Sequence, residues 1–209
     1  STSEVYSGTL RYHGLKIPTP ENTPLTIDNM NFSRTSYMAS KIYGELMCNM
    51  SKNLPYIIIR PHNFYGPRMG FSHVIPEIML KIFNSQNKKI KVESPNHRRT
   101  FCYIDDAIEM IFELSKTKKS LYKTFNVGSF GNSINIYQLA KKILKTSGYK
   151  INIKKSYTEK GSPSKRRPNM NQLKKIVKFK CKYNLDEGLK KTYSWYLNNI
   201  FLNKKKTFI

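Results

Sequence analysis

Four consecutive apolar residues, Tyr56-Ile57-Ile58-Ile59, follow Pro55 and run into Arg60. Three β-branched side chains in an unbroken apolar run fit a strand covered on both faces, as in a buried sheet. Upstream, Met38, Ile42, Leu46 and Met50 recur at every fourth residue. That spacing predicts an amphipathic helix ending near Asn53, with these four on one apolar stripe. Downstream, 61–70 is a loop rich in Pro and Gly, and 74–84 reads as a helix. Short strands are expected at 89–92 and 100–104. Asp105 then reads as the N-cap of an amphipathic helix to about Lys116, with Ile108, Ile111, Phe112 and Ser115 on one side. Residues 124–127 read as a strand closing on Gly128. Asn135 or Ser133 caps a further helix with Leu139, Ile143 and Leu144 inward, and 151–155 alternate as a strand. A polar loop over 159–169 precedes helices near 171–177 and 185–201. Strands alternating with helices predict an α/β fold.

The first six residues, Ser-Thr-Ser-Glu-Val-Tyr, read as a short polar strand end. A loop to about Arg34 follows, with Pro18, Pro20, Pro24, Gly8 and Gly14 and no helical or strand period. Loops of that length tend to be functional. The chain has 209 residues, 39% of them hydrophobic, enough for a packed core and too many for a disordered chain. Its longest apolar runs are strand-sized, which predicts no membrane-spanning helix, and no basic-then-apolar leader opens it. Cys48, Cys102 and Cys181 are scattered, in no metal-ligand spacing, and read as reduced thiols of a cytoplasmic protein.

The charge is lopsided: 37 Lys and Arg face 13 Asp and Glu, a net +24. Nucleic acid, an anionic membrane surface or a lysine-heavy proteome would each account for it. The lysines are spread, with short runs at Lys141-Lys142, Lys154-Lys155, Lys174-Lys175 and Lys204-Lys205-Lys206, and form no arm with interleaved aromatics. This favours composition over nucleic acid, and the same field would attract a polyanionic ligand such as a nucleotide sugar.

The same helix carries a chemical pair. Tyr37 and Lys41 are four residues apart, hence one turn apart on one helix face. A phenol titrates near ~10 in water and is a poor base at neutral pH. A nearby ammonium favours the phenolate. The pair then has the makings of a general base for a sugar hydroxyl whose carbon loses hydride.

Four stretches bear on what this pair belongs to. They are Ser1-Thr2-Ser3-Glu4-Val5-Tyr6; Tyr37 to Lys41; Arg60-Pro61-His62-Asn63-Phe64-Tyr65-Gly66-Pro67-Arg68; and Arg99-Thr100-Phe101-Cys102-Tyr103-Ile104-Asp105-Asp106. In this order and spacing they resemble the extended short-chain dehydrogenase/reductase proteins of the NAD-dependent epimerase/dehydratase family. The resemblance covers nearly the whole chain. It implies the C-terminal portion of an extended Rossmann fold, an incomplete parallel sheet, plus a small α/β substrate-binding domain. Residues 1–70 would be the second part of the NAD-binding domain. Residues 71–209 would be mainly the nucleotide-sugar domain, with some elements returning to the Rossmann sheet.

The same resemblance implies roles. Tyr37 would take the proton from the sugar 4-hydroxyl as C4 hydride passes to NAD, Thr2 would align that hydroxyl, and Lys41 would also bind the nicotinamide ribose. Pro61 and Phe64 would line the nicotinamide side. Asn63 would bond the sugar or diphosphate, and Arg99 the diphosphate. The 4-keto sugar can then be reduced on its other face, lose water across C5 and C6, or, with a C6 carboxylate, lose carbon dioxide. Ser3-Glu4 is similar to UDP-glucuronate decarboxylases, whereas 4,6-dehydratases of the usual sort have Asp-Glu. Lys165-Arg166-Arg167-Pro168 matches a basic stretch in which Arg166 would be catalytic or hold the substrate phosphate or carboxylate, as fits a fixed bidentate donor. Asp105-Asp106 reads as a helix cap, and no metal is expected.

One departure stands out. The family's glycine-rich turn, which holds the cofactor pyrophosphate at a helix N-terminus, has no counterpart here: Gly8 and Gly14 are isolated, and Gly128 and Gly131 come late. The chain therefore reads as the second part of a longer enzyme, and alone it is expected to bind NAD poorly. A split or inactive fragment acting as a binding module stays open. Family members pair through the Tyr–Lys helix and the one before it, so a homodimer is expected only of a full-length form.

Overall fold

A computed structural model describes residues 1–51, 53–85, 89–157 and 164–203. The run Lys204-Lys205-Lys206 and residues 159–163 of the expected polar loop lie outside the described residues. In chain order the elements are a 3-10 turn (Ser3–Tyr6), α1 (Ser7–His13), α2 (Thr35–Met50), β1 (Ile57–Pro61), β2 (Phe64–Tyr65), α3 (Val74–Phe83), β3 (Lys89–Val92), β4 (Arg98–Arg99) and β5 (Cys102–Tyr103). There follow α4 (Ile104–Ser115), a second 3-10 turn (Lys118–Ser120), β6 (Lys123–Val127), β7 (Ile134–Asn135), α5 (Ile136–Ser147), β8 (Asn152–Lys155) and β9 (Lys165–Arg166). Then come α6 (Asn171–Ile176), α7 (Leu185–Tyr196) and a π turn (Leu197–Phe201). They form two compact units: Ser1–Phe64 with Thr100–Gly131 and Lys165–Cys181, and Tyr65–Arg99 with Asn132–Ser164 and the chain from Lys182 onward.

In the first unit, β1 and β6 pair in parallel, from Ile57 opposite Lys123 to Pro61 opposite Val127. Ile58 is buried on one face of β1, while Ile57 and Ile59 pack from the other onto Cys102, Ala107, Met110, Leu114, Phe125, Val127, Met170, Leu173 and Val177. The apolar run is thus covered from both sides.

Several local expectations need correction here. The opening residues are not a strand end: Thr2 is extended, and its hydroxyl accepts from the Glu4 amide at 3.3 Å, capping the 3-10 turn. The expected loop contains α1. Its Gly8 is needed for close approach, because a Cβ there would lie 1.8 Å from the Thr26 carbonyl oxygen. Thr9 secures the same contact, donating to Pro24 O at 2.5 Å and accepting from the Thr26 amide at 3.1 Å. Tertiary docking, not apolar period, makes this helix.

On α2 the apolar stripe is not the buried face. Met38 is buried, but Leu46 is 55% and Met50 77% exposed, and Glu45 is buried in their stead. On α4 the expected side is split: Ile108 and Phe112 are exposed while Ile111 packs against the core cluster, and Asp106, Ala107, Met110 and Leu114 are buried. Asp105 is not the cap; Tyr103 holds that position, and both aspartates lie in the first turn, where the helix dipole favours them.

In the second unit, β3 and β8 pair in parallel, and α3, α5 and α7 surround an apolar centre. Ile75, Ile78, Met79, Ile82, Leu139, Ile143 and Leu189 fill it. Asn135 Oδ1 caps α5 by accepting from the Gln138 amide at 2.7 Å, and Gly148 ends the helix in the left-handed region at φ 74°. Asn184 and Glu187 form a reciprocal capping box on α7.

Candidate active site

The first unit gathers most of the residues singled out from the sequence. Glu4, in the opening 3-10 turn, meets Arg166 of β9 in a two-pronged ion pair: Arg166 Nη1 donates to Oε1, and Nη2 reaches Oε2 at 3.1 Å. The Ser7 hydroxyl donates to Glu4 Oε2 at 3.0 Å. Burial by itself would raise the Glu4 carboxyl; Arg166, with Ser7 and the charge of Arg34, outweighs it and holds the group below the usual carboxylate range. Glu4 is therefore an anion at neutral pH. Ser3 is buried next to it, and Thr2 is half-buried.

Helix α2 packs on this turn. It presents Tyr37, 49% exposed, with Lys41 Nζ 5.5 Å from the centre of its ring. Both side chains lie on one turn of the helix, as their spacing requires.

Behind them lies a buried polar chain that sequence reasoning did not assign to the site. Arg60 of β1 donates to both Glu45 oxygens, at 2.8 and 2.6 Å, to Tyr6 Oη at 2.7 Å and to Glu21 O at 2.9 Å. Tyr6 Oη donates to Asn126 Oδ1 at 3.0 Å. Asn126 Nδ2 is committed to the carbonyls of Thr19 and Asn169, so its Oδ1 can only accept. His62 Nε2, 3.0 Å from that oxygen, therefore carries the proton. Burial, with Arg166 and Arg60 nearby, pushes the His62 pKa down to about 4 against the opposing Asn126 bond, leaving the ring neutral. Burial likewise opposes ionisation of Glu45, but the Arg60 and Ser1 hydrogen bonds keep it below the usual range.

Asn63 adopts a left-handed φ of 47° and donates its amide to Thr100 O at 3.0 Å, so the side chain pins its own loop. Pro61 ends β1, and Phe64 packs against the core cluster. Arg99 belongs to the second unit, buried, with Nη1 donating to Arg98 O at 2.9 Å. A cavity of about 600 Å³ in the first unit is lined by Pro20, Glu21, Lys123, Gln172 and Lys175 among others, and by no expected site residue. Among the described residues, no group of three His, Cys, Asp or Glu side chains gathers to hold a metal, and no helix is long and apolar enough to cross a membrane.

For a nicotinamide nucleotide, the donor set fits one end. A solvent-facing phenol and ammonium on one helical turn suit a ribose diol beside a nicotinamide. Among the described residues, Gly8 is filled by Thr26, and Gly14 and Gly148 stand singly in open space, so none of these three makes a phosphate cradle.

The profile described as "NAD dependent epimerase/dehydratase family" matches residues 1–128. Among similar curated proteins, the bifunctional polymyxin resistance protein ArnA of Wigglesworthia glossinidia brevipalpis is 28% identical over 207 residues, covering 86% of this chain and 32% of that protein. UDP-D-apiose/UDP-D-xylose synthase 1 of Arabidopsis thaliana is 28% identical over 168 residues, covering 67% of this chain and 42% of the other. The chain thus spans less than half the length of these two relatives. Among solved structures, an NAD-dependent NDP-hexosamine 5,6-dehydratase superposes with a TM-score of 0.78 at 22% identity, covering 97% of this chain and 63% of that one. A UDP-galactose 4-epimerase does so with a TM-score of 0.75 at 23% identity, covering 96% and 62%. These likenesses show the Rossmann-type α/β fold of such enzymes, present here in part. With 128 of its 209 residues inside the family match, the chain belongs to the NAD-dependent epimerase/dehydratase family.

Proposed function

We propose that this chain is the acid–base and substrate-binding part of an NAD-dependent enzyme that oxidises the C4 hydroxyl of a UDP-sugar, with UDP-glucuronate decarboxylase-like chemistry favoured. The observation that carries the finer reading is the Glu4–Arg166 pair. The guanidinium already engages a carboxylate through two nitrogens, the geometry that a sugar carboxylate or a diphosphate would use. A relative named for UDP-D-xylose, a pentose derivative, supports the same direction.

In this reading the Tyr37 oxygen takes the proton from the C4 hydroxyl, with Lys41 favouring the phenolate and Thr2 holding the hydroxyl in line. Lys41 would hold the ribose of NAD, and Pro61 and Phe64 would line its nicotinamide side, where the cofactor would supply a reversible acceptor for the C4 hydride. The 4-keto uronate is a β-keto acid. Its C5–C6 bond breaks, carbon dioxide leaves, and the electron pair passes to the C4 carbonyl as an enolate that is then protonated at C5. Arg166 orients the departing carboxylate, Ser3 and Glu4 serve the proton transfers, and Asn63 binds the sugar or diphosphate. The exposed apolar residues of α2, Tyr43, Leu46, Met47 and Met50, support pairing of two copies in a full-length form.

The test incubates the longest in-frame gene product containing this chain with NAD and UDP-glucuronate. Carbon dioxide and a UDP-pentose are expected. A retained carboxylate with inverted C4 would instead make it an epimerase and leave Arg166 a phosphate ligand. Loss of water from a UDP-hexose would make it a 4,6-dehydratase, and no turnover with any UDP-sugar would leave a binding module.

A further inference from the structure

We infer that Arg60 is a positioning residue that sets the spacing between the two candidate catalytic segments, an inference resting on the reading of α2 as the acid–base helix. Arg60 leaves β1 and is 5% exposed. One side of its fork, Nε and Nη2, closes on Glu45, one helical turn beyond Lys41 and two beyond Tyr37. The other nitrogen, Nη1, holds Tyr6 Oη and the Glu21 carbonyl. Tyr6 closes the 3-10 turn that bears Ser3 and Glu4 and is capped by Thr2. A single planar group thus grips the Tyr37 helix on one side and the Thr2–Glu4 turn on the other. Ser1 adds a second tie, donating to Glu45 Oε1 at 2.5 Å.

The chemistry explains why the link is charged. An apolar contact would hold α2 against β1, but it would let the helix slide or rotate by fractions of an ångström. A guanidinium has fixed donor directions, so four bonds on one plane define both distance and rotation. That precision matters where a base and an aligning hydroxyl must meet one substrate oxygen, since a misplacement of ~1 Å can cost on the order of a hundredfold in rate. Glu45 is buried where the apolar stripe of α2 would have been, so the helix accepts an outward Leu46 and Met50 to keep this tie.

The experiment compares wild type with Arg60→Met, Arg60→Lys and Tyr6→Phe. On this chain, hydrogen–deuterium exchange is followed in peptides covering 2–6 and 35–41. On the active gene product, kcat and KM for the nucleotide sugar are measured together. Arg60→Met is expected to speed exchange in both peptides, by about tenfold or more, while the β1–β6 pairing keeps its protection. It should lower kcat by about a hundredfold and leave KM within about twofold. Arg60→Lys keeps the charge without the fork and should recover folding but not kcat. Tyr6→Phe should loosen 2–6 alone. Faster exchange in only one peptide with Arg60→Met, or full kcat with Arg60→Lys, would overturn the inference. Should Arg60→Met not fold, the Lys variant decides. Should the wild type not turn over, the functional reading fails and the exchange pattern still decides this one.

Discussion

The first unit threads ionisable and polar groups through its interior: Glu45, Arg60, Tyr6, Asn126 and His62 are all buried and bonded in sequence. In the second unit the space among α3, α5 and α7 is aliphatic and aromatic. Phe83 stacks on Phe201 at 4.6 Å, and Tyr196 and Phe71 complete the cluster, the Tyr196 hydroxyl donating to Met69 O. Two of the ion pairs among its described residues, Lys81–Glu77 and Lys142–Asp186, lie at the surface. A buried ionic link is a poor way to gain net stability, since desolvation offsets most of the attraction. It is a good way to specify one arrangement. The unit that bears the candidate chemistry has the specifying interior, and the other has the packing one.

The sharpest way to break this contrast is to remove one partner of the buried pair. Glu45→Gln should destabilise the first unit by about 3–5 kcal/mol, because Arg60 is left charged and buried, whereas Glu45→Met with Arg60→Met should cost less. Denaturant melts read by hydrogen exchange in β1 and β6 check both. In the second unit, Phe201→Ala should cost a similar ~3–5 kcal/mol through a cavity, with no dependence on pH. Equal pH slopes in the two units would break the comparison.

The pH dependence itself sharpens it. His62 has a folded pKa of about 4, below its unfolded value of 6.5, so the native state binds fewer protons between those limits. Stability from this group is full above about 6.5 and falls as pH drops toward 4, by roughly 3 kcal/mol in all. Glu4 and Glu45, also depressed, contribute stability above the usual carboxylate value that is lost as pH falls through their folded values. The first unit should therefore unfold first on acidification, and His62→Gln should flatten its slope between pH 6.5 and 4. The smallest effect belongs to Lys142→Ala, whose partner Asp186 is well exposed; a change within about 1 kcal/mol is expected, vanishing at high salt.

The sequence carried the element order well wherever local signals were strong. The run at Tyr56–Ile59, the helix around Tyr37–Lys41 and the α/β alternation read correctly, and of the two caps the sequence allowed, Asn135 and Ser133, the structure uses Asn135, because β-branching, spacing and capping act over a few residues. It carried the Tyr37–Lys41 neighbourhood for the same reason. It also marked Glu4 and Arg166 separately.

What lay beyond it were contacts between residues far apart in the chain. That Glu4 meets Arg166, 162 positions away, is a property of the folded unit. So is the inversion of α2. Hydrophobic period alone turns Leu46 and Met50 inward, but a carboxylate met by a buried guanidinium turns the helix the other way. Helix α1 has no apolar stripe and exists because Gly8 lets it lie against Thr26. On α4, Ile108 and Phe112 stay exposed, and Met110 and Leu114 join Phe125 and Leu173 in the core cluster instead. Local sequence determined which elements form and which chemical groups they bear. Only the tertiary structure decided which face each helix buries and which charges meet, because those depend on desolvation and pairing between segments that local spacing does not encode.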